Sequence, residues 1–331
     1  MITKTDRVLV TGACGSVGSE LVKQLLKIGC TVCAFDNSED KLFLLDQEID
    51  QSLKSKIRLF FGDIRDFDRL NMAFKGVDIV FHCAALKHVY LSEYNPFETI
   101  KTNLNGVNNV IKASLENKVG KVLFTSSDKA VNPTSTMGAT KLIGERLFIA
   151  ANNYSGNNIT RFSCVRFGNI LNSNGSVLKI FKSQLEKGEH LSITSKKMTR
   201  FFITKEDAIN LCLLSSKNMI GGEIFVLYMG SANILEIAKL ASKSNNPKIK
   251  EIGLKAGEKL YEELVTELEA KRTIKLDKYF LIIPETIGML PEKIKTQYKK
   301  YDLFPKLNKP IRSDDFDADR LDLNELMKNI F

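Results

Sequence analysis

The stretch Arg7–Ile28, RVLVTGACGSVGSELVKQLLKI, decides the fold. Arg7 to Thr11 is a short apolar run, Gly12, Gly15 and Gly18 follow, and Leu21, Leu25 and Ile28 then recur at helical spacing. The pattern reads strand, glycine-rich turn, helix. Glycines let the chain turn tightly and let the backbone of the Gly15–Ser16–Val17–Gly18 segment approach a pyrophosphate, and the helix N-terminus adds partial positive charge. Three glycines at this spacing are a weak signal alone; their context strengthens it. A second strand, Thr31 to Phe35, ends at Asp36, eighteen residues after Gly18, near where an acid binds the adenosine ribose of a dinucleotide. A carboxylate there repels the extra phosphate of NADP, so NAD is the expected cofactor. Asp36 also opens DNSED, a cap-rich run, so a helix N-cap is its alternative role.

Outward from this unit the alternation continues. Lys41 to Gln51 and Asp66 to Phe74 read as helices, and Ile57 to Phe61 as a third strand closed by Gly62, Asp63 and Ile64. Asp78 to Cys83 is a fourth strand, and Ala84 and Ala85 after it leave room for a cofactor to lie over its end. Asn95 to Asn117 reads as one long helix with Pro96 in its first turn, where proline is tolerated. Lys121 to Phe124, a helix from Thr136 to about Asn153 and a strand from Ile159 to Phe167 follow. Repeated βαβ units predict an α/β fold, a Rossmann-type doubly wound parallel sheet. The expected division is 1–168 for dinucleotide binding, 169–285 for a smaller substrate lobe, and 286–331 for a tail of unread role.

Composition narrows the class. Of 331 residues 44% are hydrophobic and 26% charged, ordinary for a soluble globular protein. No apolar run approaches a membrane span, and MITKTDRVLV lacks the apolar centre of a signal peptide, so a cytoplasmic protein without membrane insertion is expected. The net charge of +9 comes from lysines spread along the chain, with no basic stripe interleaved with aromatics, so a solvated basic surface is favoured over nucleic-acid binding. Cys30 and Cys33 form a CxxC, but no second pair stands at zinc spacing. The six cysteines read as buried, reduced thiols, and no metal is expected.

Chemistry concentrates in Thr125–Lys141, TSSDKAVNPTSTMGATK. Met137 and Lys141 lie four residues apart on one helical face. A hydroxyl, a carboxylate and two amines can therefore converge at the end of a strand, where ligands bind in open α/β sheets. Read plainly, the same run is a strand, a turn and a capped helix with solvated charges.

The motifs TGACGSVGSE, HCAALKHV, NPFETIKTN, SSDKAVNPTSTMGATK, VRFGNIL, MTRFF and GEKLYEEL together resemble the UDP-N-acetylglucosamine 4,6-dehydratases, extended short-chain dehydrogenase/reductases. The match runs in order from about Val8 to about Leu264. It implies oxidation of sugar C4 by NAD+, removal of the C5 proton, loss of the C6 hydroxyl as water and return of the hydride to C6. Ser127 is expected to hydrogen-bond the C4 oxygen, Asp128 to protonate the C6 oxygen with a pKa raised by burial, and Lys129 to take the C5 proton with a lowered pKa. Lys141 should hold the nicotinamide ribose. The cofactor set is Gly12, Gly15, Ser16, Val17, Gly18, Asp36, Asp63, Ile64, Ala84, Ala85 and Lys141. Lys87, His88, Asn169, Ser176, Arg200, Lys255 and Glu258 are assigned to the nucleotide sugar, with NILNSNGS (169–176) a turn-rich loop and Glu262 and Glu263 in a helix after GEKL.

Two departures stand out. Short-chain dehydrogenases have YxxxK where this chain has Met137 and Lys141, and methionine carries no proton. A branch of the dehydratases shares the methionine, so the change favours that branch; Ser127 relaying to water, or Asp128, would take the C4 hydroxyl proton. The family's Arg-Pro is Lys255-Ala256 here, which leaves charge without a bidentate grip and keeps a GDP-linked sugar open beside a UDP sugar. Alternatives are a UDP-sugar 4-epimerase, which needs no acid at C6, and a non-catalytic dinucleotide sensor. By analogy a homo-oligomer is expected through the helices 95–117 and 136–153. Residues 271–331 read as a loose tail broken by Pro284, Pro291, Pro305 and Pro310, ending in an acidic-capped helix.

Overall fold

The computed structural model describes residues 2–156, 160–171, 173 and 176–315. Its elements open with β1 (Arg7–Thr11), α1 (Gly18–Ile28), β2 (Thr31–Asp36), α2 (Glu39–Glu48), β3 (Ile57–Phe61), α3 (Phe67–Phe74) and β4 (Ile79–His82). They continue with α4 (Val89–Tyr94), α5 (Pro96–Ile100), α6 (Gly106–Glu116), β5 (Lys121–Thr125), α7 (Thr136–Ala151) and β6 (Arg161–Arg166). The second half holds β7 (Asn169–Ile170), α8 (Val177–Glu186), β8 (Leu191–Ile193), β9 (Thr199–Ile203), α9 (Lys205–Asn218), β10 (Ile224–Leu227), β11 (Ser231–Asn233) and α10 (Ile234–Ser242). It closes with β12 (Ile249–Glu251), β13 (Glu263–Val265), α11 (Glu267–Ala270), β14 (Thr273–Lys275), β15 (Tyr279–Ile282), α12 (Glu292–Lys295) and β16 (Ile311–Arg312).

Nine strands form one sheet in the order β14-β15-β10-β6-β5-β4-β1-β2-β3. From β3 to β10 neighbours are parallel; β15 and β14 add antiparallel. Strands buried on both faces need unbroken apolar runs, and Val8, Leu9 and Val10 are fully buried. Leu21 and Leu25 of α1 and Leu211 of α9 cover one face; Leu70 of α3, Val107 of α6 and Phe148 of α7 cover the other. Strand order reverses between β1 and β4, which opens the ligand crevice at the carboxyl ends. The α/β, Rossmann-type expectation holds. A lobe of β11-β9-β7 and β12-β8 has its own core of Leu178, Phe181, Ile193, Met198 and Ile237.

The long helix expected over 95–117 is present as one continuous run of α5, a π-helical turn at Lys101–Asn105, and α6. The extra residue lets Asn103 turn inward, where it accepts from Leu86 N at 2.8 Å and donates to Leu86 O and Thr140 Oγ1 at 3.0 Å. Glu262 and Glu263 are not helical: Glu263 begins β13, which pairs antiparallel with β16, Glu263 opposite Arg312. The region from 271 onward is no loose tail, because β14 and β15 extend the main sheet and the Tyr298 ring is buried, its hydroxyl donating to Glu223 at 2.6 Å. The main sheet thus draws on residues beyond 168, so a cut there does not separate the units. The start of the strand expected from Ile159, most of the 169–176 loop's tip and the terminal helix lie outside the described residues.

Candidate active site

The cofactor cradle is set by close backbone approach. Gly12 has φ 65°, and a Cβ on it would lie 2.7 Å from Ala84 Cα; one on Gly18 would lie 2.1 Å from Gly12 O. Any side chain at either position collides with backbone, so these glycines are required sterically. A cleft of 580 Å³ runs from this turn across Asp36, Asp63, Ile64, Ala84 and Ala85, and its wall includes Gly15, Ser16 and Val17. Asp36 Oδ2 accepts from Cys14 N at 2.9 Å and Oδ1 from Ser38 N at 3.1 Å. Ser38 is the N-cap residue of α2, so Asp36 does not serve as that cap. The α1 N-terminus, the collision-limited glycines and the carboxylate at the end of β2 fit an adenine dinucleotide. Burial pushes the Cys14 and Cys83 thiols up to about 12, which leaves both neutral.

At the far end of the cleft, β5 delivers the reactive groups. Ser127 caps a short 3-10 turn over Asp128–Ala130. Its hydroxyl accepts from Lys129 N at 3.3 Å and donates to Asp128 Oδ1 at 2.7 Å. Asp128 is fully buried; Oδ1 also receives Lys129 Nζ at 3.0 Å, and Oδ2 has no hydrogen-bond partner among the described residues. Lys129 Nζ donates further to Asn169 Oδ1 at 3.1 Å. The expected low pKa of Lys129 is corrected. Burial pulls the amine down, but Asp128 and Glu262 outweigh it, and the net direction is up, towards a held ammonium.

Ser135 caps α7 by accepting from Gly138 N at 3.1 Å, which presents Met137 and Lys141 to the cleft. Lys141 Nζ donates to Thr125 O at 2.8 Å and sits 4.6 Å from the Phe124 ring centre. Burial lowers its pKa to about 8. Behind it His82 is stacked on Phe124 and Phe148, shares a 2.7 Å hydrogen bond with Thr11 Oγ1 and is lowered by burial to about 3, so it stays neutral.

A second cavity of 340 Å³ meets the first at Lys129, Asn169 and Val177. The residues assigned to the sugar nucleotide divide between the two. Lys87, His88 and Ser176 line the first, Arg200, Lys255 and Glu258 the second, and Asn169 both. Burial lowers the pKa of Lys87, with Lys179 adding to it, and that of His88, with Lys87 adding to it. Arg200 is buried, and its guanidinium donates to Thr199 O at 2.7 Å, Leu260 O at 3.3 Å and Lys259 O at 2.8 Å. Lys255 N donates to Glu258 Oε2 at 3.0 Å, so Glu258 closes its own turn.

Sequence reasoning gave Glu262, Lys259 and Asn103 no individual role in the site, although all three lie within the quoted motifs. Asn103 carried one signal, a polar side chain in the middle of a long helical run. Arg166, fully buried, also went unremarked; it grips Glu145 of α7 at 2.7 and 2.6 Å and Glu269 of α11 at 2.9 and 2.8 Å. Among the described residues no group of His, Cys, Asp and Glu could hold a metal ion, and no helix is long and apolar enough to cross a membrane.

Comparison with known proteins bears on this geometry. The pattern of the polysaccharide biosynthesis protein family matches residues 8–284. The chain is 41% identical to a UDP-N-acetylglucosamine 4,6-dehydratase (inverting) of Campylobacter jejuni, over 84% of this chain and 82% of that one. It is 36% identical to a UDP-glucose 4-epimerase of Rickettsia bellii, over 83% of this chain and 82% of that one. Among solved structures, Pen from Bacillus thuringiensis superposes with TM-score 0.89 at 36% identity, covering 100% of this chain and 98% of Pen.

Proposed function

The chain belongs to the polysaccharide biosynthesis protein family, and from that premise we propose that it is an NAD-dependent nucleotide-sugar 4,6-dehydratase acting on UDP-N-acetylglucosamine. The observation that carries the reading is the junction of the two cavities at Lys129, with Asp128, Ser127 and Lys141 around it and methionine at the YxxxK tyrosine position. An epimerase needs only C4 oxidation and has no use for an acid–base pair at this junction.

Gly12, Gly18 and the start of α1 would admit the pyrophosphate, and Asp36 the adenosine ribose. Bound NAD supplies a hydride acceptor that is restored within each turnover. Lys141, anchored on Thr125 O, would hold the nicotinamide ribose and set its charge near the sugar's C4 oxygen, and Ser127 would contact that oxygen once its hydroxyl turns away from Asp128. Lys129 and Asp128 share the proton that elimination needs. Transfer across their 3.0 Å hydrogen bond leaves a neutral amine beside a carboxylic acid. The amine then takes the C5 proton while the acid protonates the departing C6 oxygen, forming water and the C5–C6 double bond. Ammonium and carboxylate are thereby restored.

Proton NMR of the purified protein with UDP-N-acetylglucosamine in deuterated water tests this. A new C6 methyl signal with deuterium at C5 is expected, and the ring couplings read the configuration at C5. Interconversion at C4 without a methyl signal would replace the reading with the epimerase. Silence towards UDP, GDP and TDP sugars would leave a non-catalytic dinucleotide-binding protein.

We extend the proposal to a homo-oligomer. Tyr90, Leu91, Tyr94, Phe97, Ile143 and Leu147 stand exposed on α4, α5 and α7, which pack against one another. An apolar face of this kind marks an interface in a soluble protein. Sedimentation equilibrium should give at least a dimer, and a monomer at all concentrations would refute it.

A further inference from the structure

Glu262 stands where the reaction above places no role. It is buried, lines the second cavity, and projects between three cations. Its Oε1 lies 3.9 Å from Lys129 Nζ and 3.8 Å from Arg200 Nε, and its Oε2 lies 3.2 Å from Lys259 Nζ. Arg200 and Lys259 are committed elsewhere as well. Arg200 donates to three backbone carbonyls, and Lys259 Nζ donates to Val131 O at 2.9 Å and Asn132 O at 3.3 Å. Lys129 Nζ, by contrast, donates among the described residues to Asp128 and Asn169 side chains.

The position of Glu262 is built from two distant segments. Its N–H donates to Ser313 Oγ at 2.9 Å, its carbonyl accepts from Ser313 N at 2.9 Å, and Ser313 Oγ in turn shares a 2.9 Å hydrogen bond with Thr199 Oγ1. Glu263, the next residue, points its carboxylate to Asn132 Nδ2 at 2.6 Å and away from Lys129's partners. The charged groups facing Lys129 are therefore Asp128 from its own turn, Glu262 from the loop before β13 and Arg200 from β9, while Lys259 faces Glu262 from the same loop.

We propose that Glu262 is a positioning residue that keeps one proton on the Lys129–Asp128 pair. The inference rests on the dehydratase reading, which needs that proton for the C6 oxygen. Burial pulls Lys129 towards losing its proton to water; Asp128 opposes this first and Glu262 adds to that opposition, and without them the proton would be lost. The pair would then hold a base but no acid, and elimination would stall. Glu262, too far from Lys129 for a hydrogen bond yet close enough for strong attraction, opposes that loss without taking the proton itself. Arg200 and Lys259 moderate the effect by sharing the same carboxylate.

The test titrates Lys129 directly, apart from turnover. Trace acetic anhydride labels neutral amines, and mass spectrometry of the Lys129 peptide across pH gives the midpoint of its ionisation. Glu262→Gln should lower that midpoint by about one pH unit, because one facing anion is gone. Lys259→Met should move it the other way, because Glu262 is then shared by one cation fewer. Thermal melting of both variants checks that the fold persists. A midpoint unmoved in Glu262→Gln, or shifts of the same sign in the two variants, overturns the proposal, since a packing role would not give opposed shifts. Wild-type protein with no dehydratase activity would instead count against the function, leaving the titration to judge Glu262 alone.

Discussion

Lys129→Met should cut methyl formation by about 10²- to 10⁴-fold, the range expected for loss of a positioned acid–base group, while the fold and dinucleotide binding persist. The side chain sits at the meeting of the two cavities, its Nζ donates to side chains rather than backbone among the described residues, and it lies away from the glycine turn. Its removal leaves Asp128 buried beside Ser127 with no cation in contact among the described residues, so both the base at C5 and the charge that tunes the acid at C6 are lost together. Lys129→Arg separates these roles. A guanidinium keeps the charge but does not lose its proton in a protein, so it cannot serve as a base. The arginine variant should be as slow as the methionine variant by the NMR assay. Retention of more than about a tenth of wild-type rate would show that charge alone suffices and would assign C5 proton removal elsewhere.

Arg166→Ala should destabilise the protein by about 3–5 kcal/mol, the cost of stripping the cation from buried carboxylates. Arg166 is 1% exposed, and its two forks reach Glu145, one turn beyond Lys141 on α7, and Glu269 at the start of α11, with Leu264 O at 3.1 Å between them. It fastens the helix that carries Lys141 to the segment that follows Glu262. In this site burial pushes the Glu269 carboxyl up, Arg166 pulls it down more strongly, and it ends at about 2. A carboxyl depressed below its unfolded value of about 4.3 contributes stability above that value and loses it as pH falls towards 2. Wild-type stability should therefore decline in that window. In Arg166→Ala, Glu269 keeps only Thr266 N at 3.0 Å and the Arg272 guanidinium at 4.0 Å among the described residues, so acid relieves its buried charge and the gap to wild type narrows between pH 7 and 4. Denaturant melts at both pH values measure this. Combining Arg166→Met with Glu145→Leu and Glu269→Gln should recover most of the loss, because no buried charge then remains unpaired. A gap that stays constant with pH would assign the effect to lost packing alone.

Much of this was legible from local order in the chain. The glycine spacing at the first turn, the acid at the end of the second strand and the alternation of apolar runs are short-range features; the alternation predicted the sheet, and the glycines and the acid line one cleft, whereas the steric demand at Gly12 comes from Ala84 far along the chain. Ser127, Asp128, Lys129 and Lys141 converge because a strand, a short turn and a helix of fixed pitch follow one another within one segment. Long-range pairing was not legible. The run LYEELVTELEA is rich in good helix formers, yet Glu263–Val265 is a strand because Ile311 and Arg312 lie alongside it. The region after 270 reads as broken by prolines, yet β14 and β15 join the sheet through partners on β10 and on each other. The charge of Lys129 followed the same rule: its neighbour Asp128 is adjacent in sequence, but Glu262 arrives only when Ser313 and Thr199 clasp its loop. Sequence alone determined the alternating strands and helices of the first 168 residues, since sterics and periodicity act over a few positions. Which carboxylate faces which amine was decided by the tertiary structure, because electrostatics depends on distance in space and not along the chain.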